Sequence, residues 1–351
     1  MASSPEYVSW FADIGLGDRQ DVGGKGGSLG ELQRAGIPVP PGFVVRTRAF
    51  ERFLEAVERQ SPLRAQVEAL SPDDLEAVTA CSRATRARLE EVALPTLVVE
   101  EISSAHETLC HAGVVPAVAV RSSATTEDAS DASFAGLQDT YLWVNSASEA
   151  LRMVRSCWAS LYSVESICYR RRRGFAEAGV AMAVVVQAMV DARTAGVMFT
   201  RSPTTGDRSV ITIEGAWGLG SAVVGGEVTP DRWVVGKITG EISVREISDK
   251  KIKHVPLLAG GIEAVALEEE LRRTACMSDA ELQSLRTLAR KVERQYGHAQ
   301  DIEWAIDRHS GSILLLQSRP ETVWSAREPA PVARAAENPL SHVMSIFGGR
   351  Q

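Results

Sequence analysis

Between Ala119 and Leu142 the chain reads AVRSSATTEDASDASFAGLQDTYL, a short apolar run followed by an arginine, a hydroxyl-rich stretch and a glycine. Such a segment makes sense when a buried strand delivers it into a cleft. Ala117 to Val120 is small and apolar, as a buried strand requires, and Arg121 follows at its end. The guanidinium is a rigid, permanently charged fork that matches phosphate or carboxylate oxygens. Ser122, Ser123, Thr125 and Thr126 add hydroxyl donors. From Ser133 to Gln138, the small residues Ala135 and Gly136 let backbone N–H groups come close to an anion. A lone Arg-Ser-Ser triplet is more often a solvated surface loop, but the length of this string argues against that.

The chain has 351 residues, 44% hydrophobic and 24% charged, enough for a sizeable core in one two-lobed domain or two modest ones. Its formal net charge of −7 excludes a general nucleic-acid binder, whose phosphate contacts need a basic face. Cys81, Cys110, Cys157, Cys168 and Cys276 lack CxxC spacing, so neither a zinc site nor a disulfide framework is expected. The N-terminus MASSPEYVSWFADI carries no basic and apolar leader. The longest apolar run, residues 180–188 with Gln187 inside it, is too short to span a bilayer. No nucleic-acid or membrane partner is expected, and the location is expected to be cytoplasmic.

Asp21 to Ala35 reads as a glycine-rich turn feeding a short helix, with Leu29 and Leu32 inward and Gly36 as the stop. Lys25 then projects near a helix N-terminus, where anions are already favoured. It is not a P-loop lysine, because Arg19 and Gly26 stand where that motif needs Gly and Ser or Thr. Residues 50–112 and 147–175 are helical in pattern, the second carrying the basic cluster Arg170 to Arg173, which suits a solvated helix end or a phosphate cleft. AMAVVVQAMV then reads as a strand in which Gln187 is costly to bury without a partner, either backbone or ligand. Glu214 precedes GAWGLG at the end of another apolar strand, where a carboxylate could hold ribose hydroxyls or face a cleft.

Ser278 to Tyr296 is a helix opened by a capping box, Ser278-x-x-Glu281, and closed at Gly297. In the following QDIEWAI, Asp301 and Glu303 fall on one strand face, with Ile302, Trp304 and Ile306 on the other. SILLLQSRP puts Gln317 and Arg319 on a common face as well. A hairpin centred near His309 sets Asp301 opposite Gln317 and gathers four polar side chains. Hard oxygens there suit Mg²⁺, which takes one or two carboxylates plus phosphate oxygens and water. A solvent-facing hairpin with alternating polarity is the simpler alternative.

Seven ordered blocks carry a resemblance that extends over most of residues 8–324. Besides the opening string they are DVGGKGGSLGEL, IPVPPGFVV, VQAMV, AGVMFTRSP, GAWGLGSAVVGGEVTPD, and QDIEWAI with LLLQSRPET. Together they resemble the nucleotide-binding unit of the phosphoenolpyruvate synthase and pyruvate phosphate dikinase family. The resemblance implies an α+β ATP-grasp fold with lobes at 1–185 and 186–324 gripping ATP and Mg²⁺, and a linker and tail at 325–351. It implies catalytic roles for Lys25, Arg121 and Arg319. ATP contacts are implied for these three and for Ser133, Gly136, Gln138, Gln187, Met189, Val190, Glu214 and Gln317, with Gln187 to Val190 meeting the base. Asp301, Glu303 and Gln317 are the implied metal ligands. One departure is Ser221, where many relatives carry Glu.

Larger members of that family pass a phosphoryl group through a histidine on a mobile domain, a covalent carrier that splits one displacement into two. None of His106, His111, His254, His298, His309 and His342 stands in the glycine- and hydroxyl-rich setting of a carrier site. The expectation is therefore an ATP unit alone, whose partner subunit supplies the phosphorylatable histidine and the site for a small-molecule acceptor. The organisation is similar to that of the ATP-binding subunit of phenylphosphate synthase. ATP would go to AMP and phosphate, and phenol would be the acceptor. A stand-alone small-molecule kinase and a nucleotide-sensing module remain open. In the tail, Leu340, Val343, Met344 and Phe347 make an apolar stripe suited to a groove on another chain or on this one.

Overall fold

The computed structural model describes residues 5–111, 117–125 and 139–324. Ser133, Gly136, Gln138 and the tail from 325 onward lie outside the described residues. The first half builds β1 (Val8–Trp10), α1 (Arg19–Arg34), β2 (Gly42–Val45), α2 (Thr47–Glu58), α3 (Leu63–Glu68), α4 (Leu75–Glu91) and α5 (Thr96–His111). It continues with β3 (Val118–Ala124), β4 (Thr140–Val144), α6 (Ala147–Ser160), α7 (Val164–Arg173) and β5 (Met182–Ala188). The second half builds β6 (Ala192–Phe199), β7 (Val210–Trp217), α8 (Ser221–Val224), β8 (Asp231–Gly236), β9 (Ile242–Glu246), β10 (Ile252–Pro256) and β11 (Ile262–Ala266). It ends with α9 (Glu269–Arg272), α10 (Asp279–Tyr296), β12 (Gln300–Asp307) and β13 (Ile313–Pro320).

These strands form an antiparallel sheet in the order β1-β2-β5-β3-β4, a second in the order β13-β12-β6-β7-β8-β9, and the separate β10–β11 hairpin. The architecture is α+β, with helices packed on sheet faces. Every residue of β5 is buried because both faces of its sheet are covered. Val184 and Val186 point into a helical layer where Phe53 of α2 stacks on Trp158 of α6 at 5.4 Å, while Ala183 and Val185 meet Val22 and Leu29 of α1. An alternating strand with two apolar faces reads as a continuous hydrophobic run, which is why MAVVV looks as it does.

Helix α1 joins the two sheets. Val22 and Leu29 belong to the core of the first, Leu32 to the core of the second, and Ser28 Oγ donates to the carbonyl of Ser318 in β13 at 2.8 Å. The second sheet buries its other face under α10, whose Leu282, Leu285, Ala289 and Val292 meet Ile302 and Trp304. That helix carries the expected capping box and a left-handed Gly297 stop. The chain crosses between the sheets at 189–191, since β5 is still part of the first; the expected division after 185 falls inside β5. Among the described residues, no helix is long and apolar enough to cross a membrane.

Candidate functional site

A cavity of about 730 Å³ opens between the two sheets. Lys25, Arg121, Gln187, Met189, Val190, Glu303, Gln317 and Arg319 all line it, although they come from five separate segments of sequence. Arg121 is the member that ties them together. It stands in the middle of β3 and not at its end, because the strand continues through the buried hydroxyls Ser122 and Ser123. From there its Nη2 donates to Glu303 Oε2 and to Gln317 Oε1, both at 2.7 Å, and its Nη1 donates to the Leu316 carbonyl at 3.1 Å. One guanidinium of the first sheet thus clamps two strands of the second. Its Nε has no partner among the described residues.

The hairpin register differs from the sequence expectation. Asp301 faces Arg319 and Glu303 faces Gln317, whereas spacing alone set Asp301 against Gln317. Two offsets of one position each cause it: near the turn Ile306 pairs with Ile313, so the hairpin is centred between His309 and Ser310, and a bulge at which Trp304 pairs with Leu315 leaves Leu316 unopposed and adds the second. The same bulge turns the Leu316 carbonyl toward Arg121.

Lys25 is placed by a break in α1. Gly23 has φ +70° and divides the helix, so Lys25 sits in the first turn of the part that follows. A Cβ at Gly23 would lie 2.2 Å from the Ser123 carbonyl oxygen, so only glycine allows the turn to sit against β3. Ser123 Oγ completes the contact, donating to the Val22 carbonyl at 3.0 Å and accepting from the Gly26 amide at 3.2 Å. The glycine-rich turn bearing Lys25 is therefore packed and hydrogen-bonded directly against the strand bearing Arg121.

Asp301 lies beside the cavity wall on the face that carries Glu303. Burial raises its carboxyl to about 6 against the opposing pull of Arg319, whose Nε lies 3.4 Å away, and Glu321 raises it further. Asp301 Oδ1 is buried with no hydrogen-bond partner among the described residues. An orphaned carboxylate oxygen next to Glu303 and Gln317 is a donor set of the hard-oxygen kind that magnesium takes. No group of three or more His, Cys, Asp or Glu side chains among the described residues could hold a metal ion. A magnesium bound largely through a ligand's phosphates does not need one.

At another part of the wall, Gln187 is 2% exposed, and its Nε2 donor has no partner among the described residues. A buried amide left this way costs about 1–3 kcal/mol, which a bound acceptor would recover. The Met189 amide already donates to the Ala117 carbonyl at 2.9 Å, so that backbone donor is engaged within the protein. Glu214 stands apart from the group. It lies in mid-strand in β7, on the face shared with Glu303 through the register Glu303, Val197, Glu214, but it does not line the cavity. Its carboxyl is raised by burial, with Arg232 of the next strand pulling the other way. The cluster Arg170 to Arg173 is absent from the wall too, and Arg170 is fully buried against Glu177. Sequence reasoning missed Glu227 and His254, which do line the cavity; nothing in the spacing of GGEVTPD marks Glu227 as cavity-facing.

The family model for the pyruvate phosphate dikinase AMP/ATP-binding domain matches residues 19–339. The chain belongs to this family. Among curated relatives, a probable phosphoenolpyruvate synthase of Methanothermobacter thermautotrophicus is 40% identical over 90% of this chain and 46% of its own length. The phosphoenolpyruvate synthase of Pyrococcus furiosus is 35% identical over 94% of this chain and 45% of its own. A rifampicin phosphotransferase of Streptomyces sviceus is 42% identical over 98% of this chain and 38% of its own. The chain spans less than half the length of these relatives. Among solved structures, D-alanyl-alanine synthetase A of Vibrio cholerae covers 69% of this chain and 54% of its own at 13% identity, but its TM-score of 0.24 carries no argument. Lys25, Arg121 and Arg319 line one cavity of this AMP/ATP-binding domain, together with the carboxylates of Glu149, Glu227 and Glu303.

Proposed function

We propose that this chain is the ATP-binding catalytic unit of a dikinase-type phosphotransferase, an ATP-grasp in which Mg-ATP lies between the two sheets. The observation that carries the reading is the cavity-wall clamp in which Arg121 reaches Glu303 and Gln317, with Lys25 and Arg319 on the same wall. Cations placed in a cleft of low dielectric stabilise the negative charge that spreads over a transferring phosphoryl group. Lys25, Arg121 and Arg319 take that role, and Asp301, Glu303 and Gln317 hold the metal. When bound there, magnesium would supply neutralisation of the triphosphate charge. Arg121 then exchanges its contacts with the Glu303 and Gln317 side chains for contacts with phosphate. Gln187 donates its free amide hydrogen to the base.

In this reading ATP and water yield AMP and orthophosphate, and one phosphoryl group passes to a histidine of a partner subunit, from which it moves to a small organic acceptor. Similarity of organisation nominates phenol as the acceptor to try first. The relative that bears the name rifampicin phosphotransferase nominates a rifamycin as the second. The test incubates the purified chain, Mg-ATP and a partner carrying a phosphohistidine motif, then identifies the nucleotide product and the labelled protein. AMP with acid-labile phosphate on the partner supports the proposal. ADP formed by this chain alone would replace it with a stand-alone kinase, and binding without turnover would replace it with a sensor.

A further inference from the structure

Ser221, His254 and Glu227 form a chain of polar contacts on the cavity wall that the phosphate chemistry does not use. His254 is buried at 6% exposure, with Nδ1 at 2.8 Å from Ser221 Oγ and Nε2 at 3.3 Å from Glu227 Oε2. The proton arrangement that satisfies both contacts has Ser221 donating to Nδ1 and Nε2–H donating to the carboxylate. The imidazole is then fixed at both ends and aims Glu227. The Glu227 side chain itself stays half exposed and lines the cavity, and its Oε1 lies 3.2 Å from where a Cβ at Gly225 would stand.

The location within the cavity matters. The Leu219 amide donates to the His254 carbonyl at 3.0 Å, which pins the turn before Ser221 to β10. Leu219 packs in one apolar group with Val190, and Met189 and Ile262 lean on it. That group adjoins Gln187 in sequence and lines the same wall, so it makes an apolar slot for a flat base, with Glu227 at its border. A carboxylate there repels phosphate and accepts from hydroxyls, and its two oxygens match a vicinal diol.

We propose that Glu227, positioned by His254 and Ser221, accepts hydrogen bonds from the 2′- and 3′-hydroxyls of a bound nucleotide and so makes this site select ribonucleotides. The inference rests on the reading that the cavity takes ATP. Hydrogen bonds to a charged group are worth about 1.5–3 kcal/mol, a factor of about 10 to 100 in affinity.

Equilibrium binding of ATP, 2′-deoxy-ATP and 2′,3′-dideoxy-ATP in the presence of Mg²⁺ tests it, using the wild type, Glu227→Ala, Glu227→Gln and His254→Ala. The wild type should bind ATP at least tenfold more tightly than the dideoxy compound. Glu227→Ala should bind all three alike, with its dideoxy affinity equal to that of the wild type, which reports an intact pocket. Glu227→Gln and His254→Ala should fall between these. Undiminished discrimination in Glu227→Ala, or an equal loss for every nucleotide, overturns the assignment while leaving ATP binding in place. Failure of the wild type to bind any of the three overturns the nucleotide reading itself and this inference with it.

Discussion

Replacing Arg121 with methionine keeps a long apolar stem in β3 and removes the clamp between the sheets. The loss is three hydrogen bonds, two of them at 2.7 Å and one of those to a carboxylate. Breaking a buried ion pair from one side costs about 3–5 kcal/mol, because the partner charge is left behind. Here the Glu303 side chain keeps 29% of its exposure, so water can reach the abandoned carboxylate and the cost falls to about 2–3 kcal/mol. At about 2.1 cal/mol/K of unfolding entropy per residue, a chain of 351 residues shifts by little more than about 1 °C per kcal/mol, so the melting temperature should drop by about 3–4 °C. Urea unfolding followed by tryptophan fluorescence measures the same loss as a lower midpoint with unchanged slope. Arg121→Lys retains charge without the fork and should recover about half. A double-mutant cycle with Glu303→Gln should give a coupling above about 1 kcal/mol. If Arg121→Met unfolds within about 0.5 kcal/mol of the wild type and the cycle shows no coupling, Arg121 is not holding the second sheet, and the cavity wall must be assembled some other way.

Gly23→Ala forces a side chain into the left-handed region and against Ser123; about 2–4 kcal/mol of stability should be lost, with weaker Mg-ATP binding, as read by urea midpoints and calorimetry. Gln187→Leu should leave the empty protein as stable as the wild type or up to about 2 kcal/mol more so, because it removes an unsatisfied buried donor, yet weaken ATP binding about tenfold; reduced stability in the empty protein would contradict this. Asp301 is raised to about 6 in the fold from an ordinary value of 3.8, so the folded state holds its proton more tightly than the unfolded one. Its contribution is complete below about pH 4 and is lost as pH rises through about 6. In metal-free buffer, the wild type minus Asp301→Asn stability difference should therefore fall across that window and flatten above it, and a difference rising with pH would refute the assignment.

Much of the fold could be read from the sequence because local rules and tertiary packing agree. The capping box at Ser278 and Gly297 bound a helix whose apolar stripe meets the sheet, and alternation in QDIEWAI sorts carboxylates from core residues. The register of that strand could not be read, since the turn is centred between His309 and Ser310, an unpaired Leu316 adds a second shift, and nothing in LLLQ announces a bulge. The polar members of the site came from their chemistry: Lys25, Arg121, Glu303, Gln317 and Arg319 do meet on one cavity. Glu214 shows the limit of the same reasoning, because strand alternation gives the face of a sheet and not the place along it where the cavity opens. Glu227 and His254 were invisible for a related reason: the β10–β11 hairpin brings His254 back to a loop 27 residues earlier, a contact that no local period encodes.

The central claim is that cations from distant segments converge on the triphosphate tail of one nucleotide. Calorimetric titration of Mg-ATP and of AMP into the wild type, Lys25→Met and Arg319→Met measures the contribution of the tail directly. The account predicts that the wild type binds Mg-ATP at least tenfold more tightly than AMP, and that each variant loses most of that advantage while AMP affinity is unchanged. Equal affinities for Mg-ATP and AMP in the wild type, or variants that keep the full difference, would contradict it.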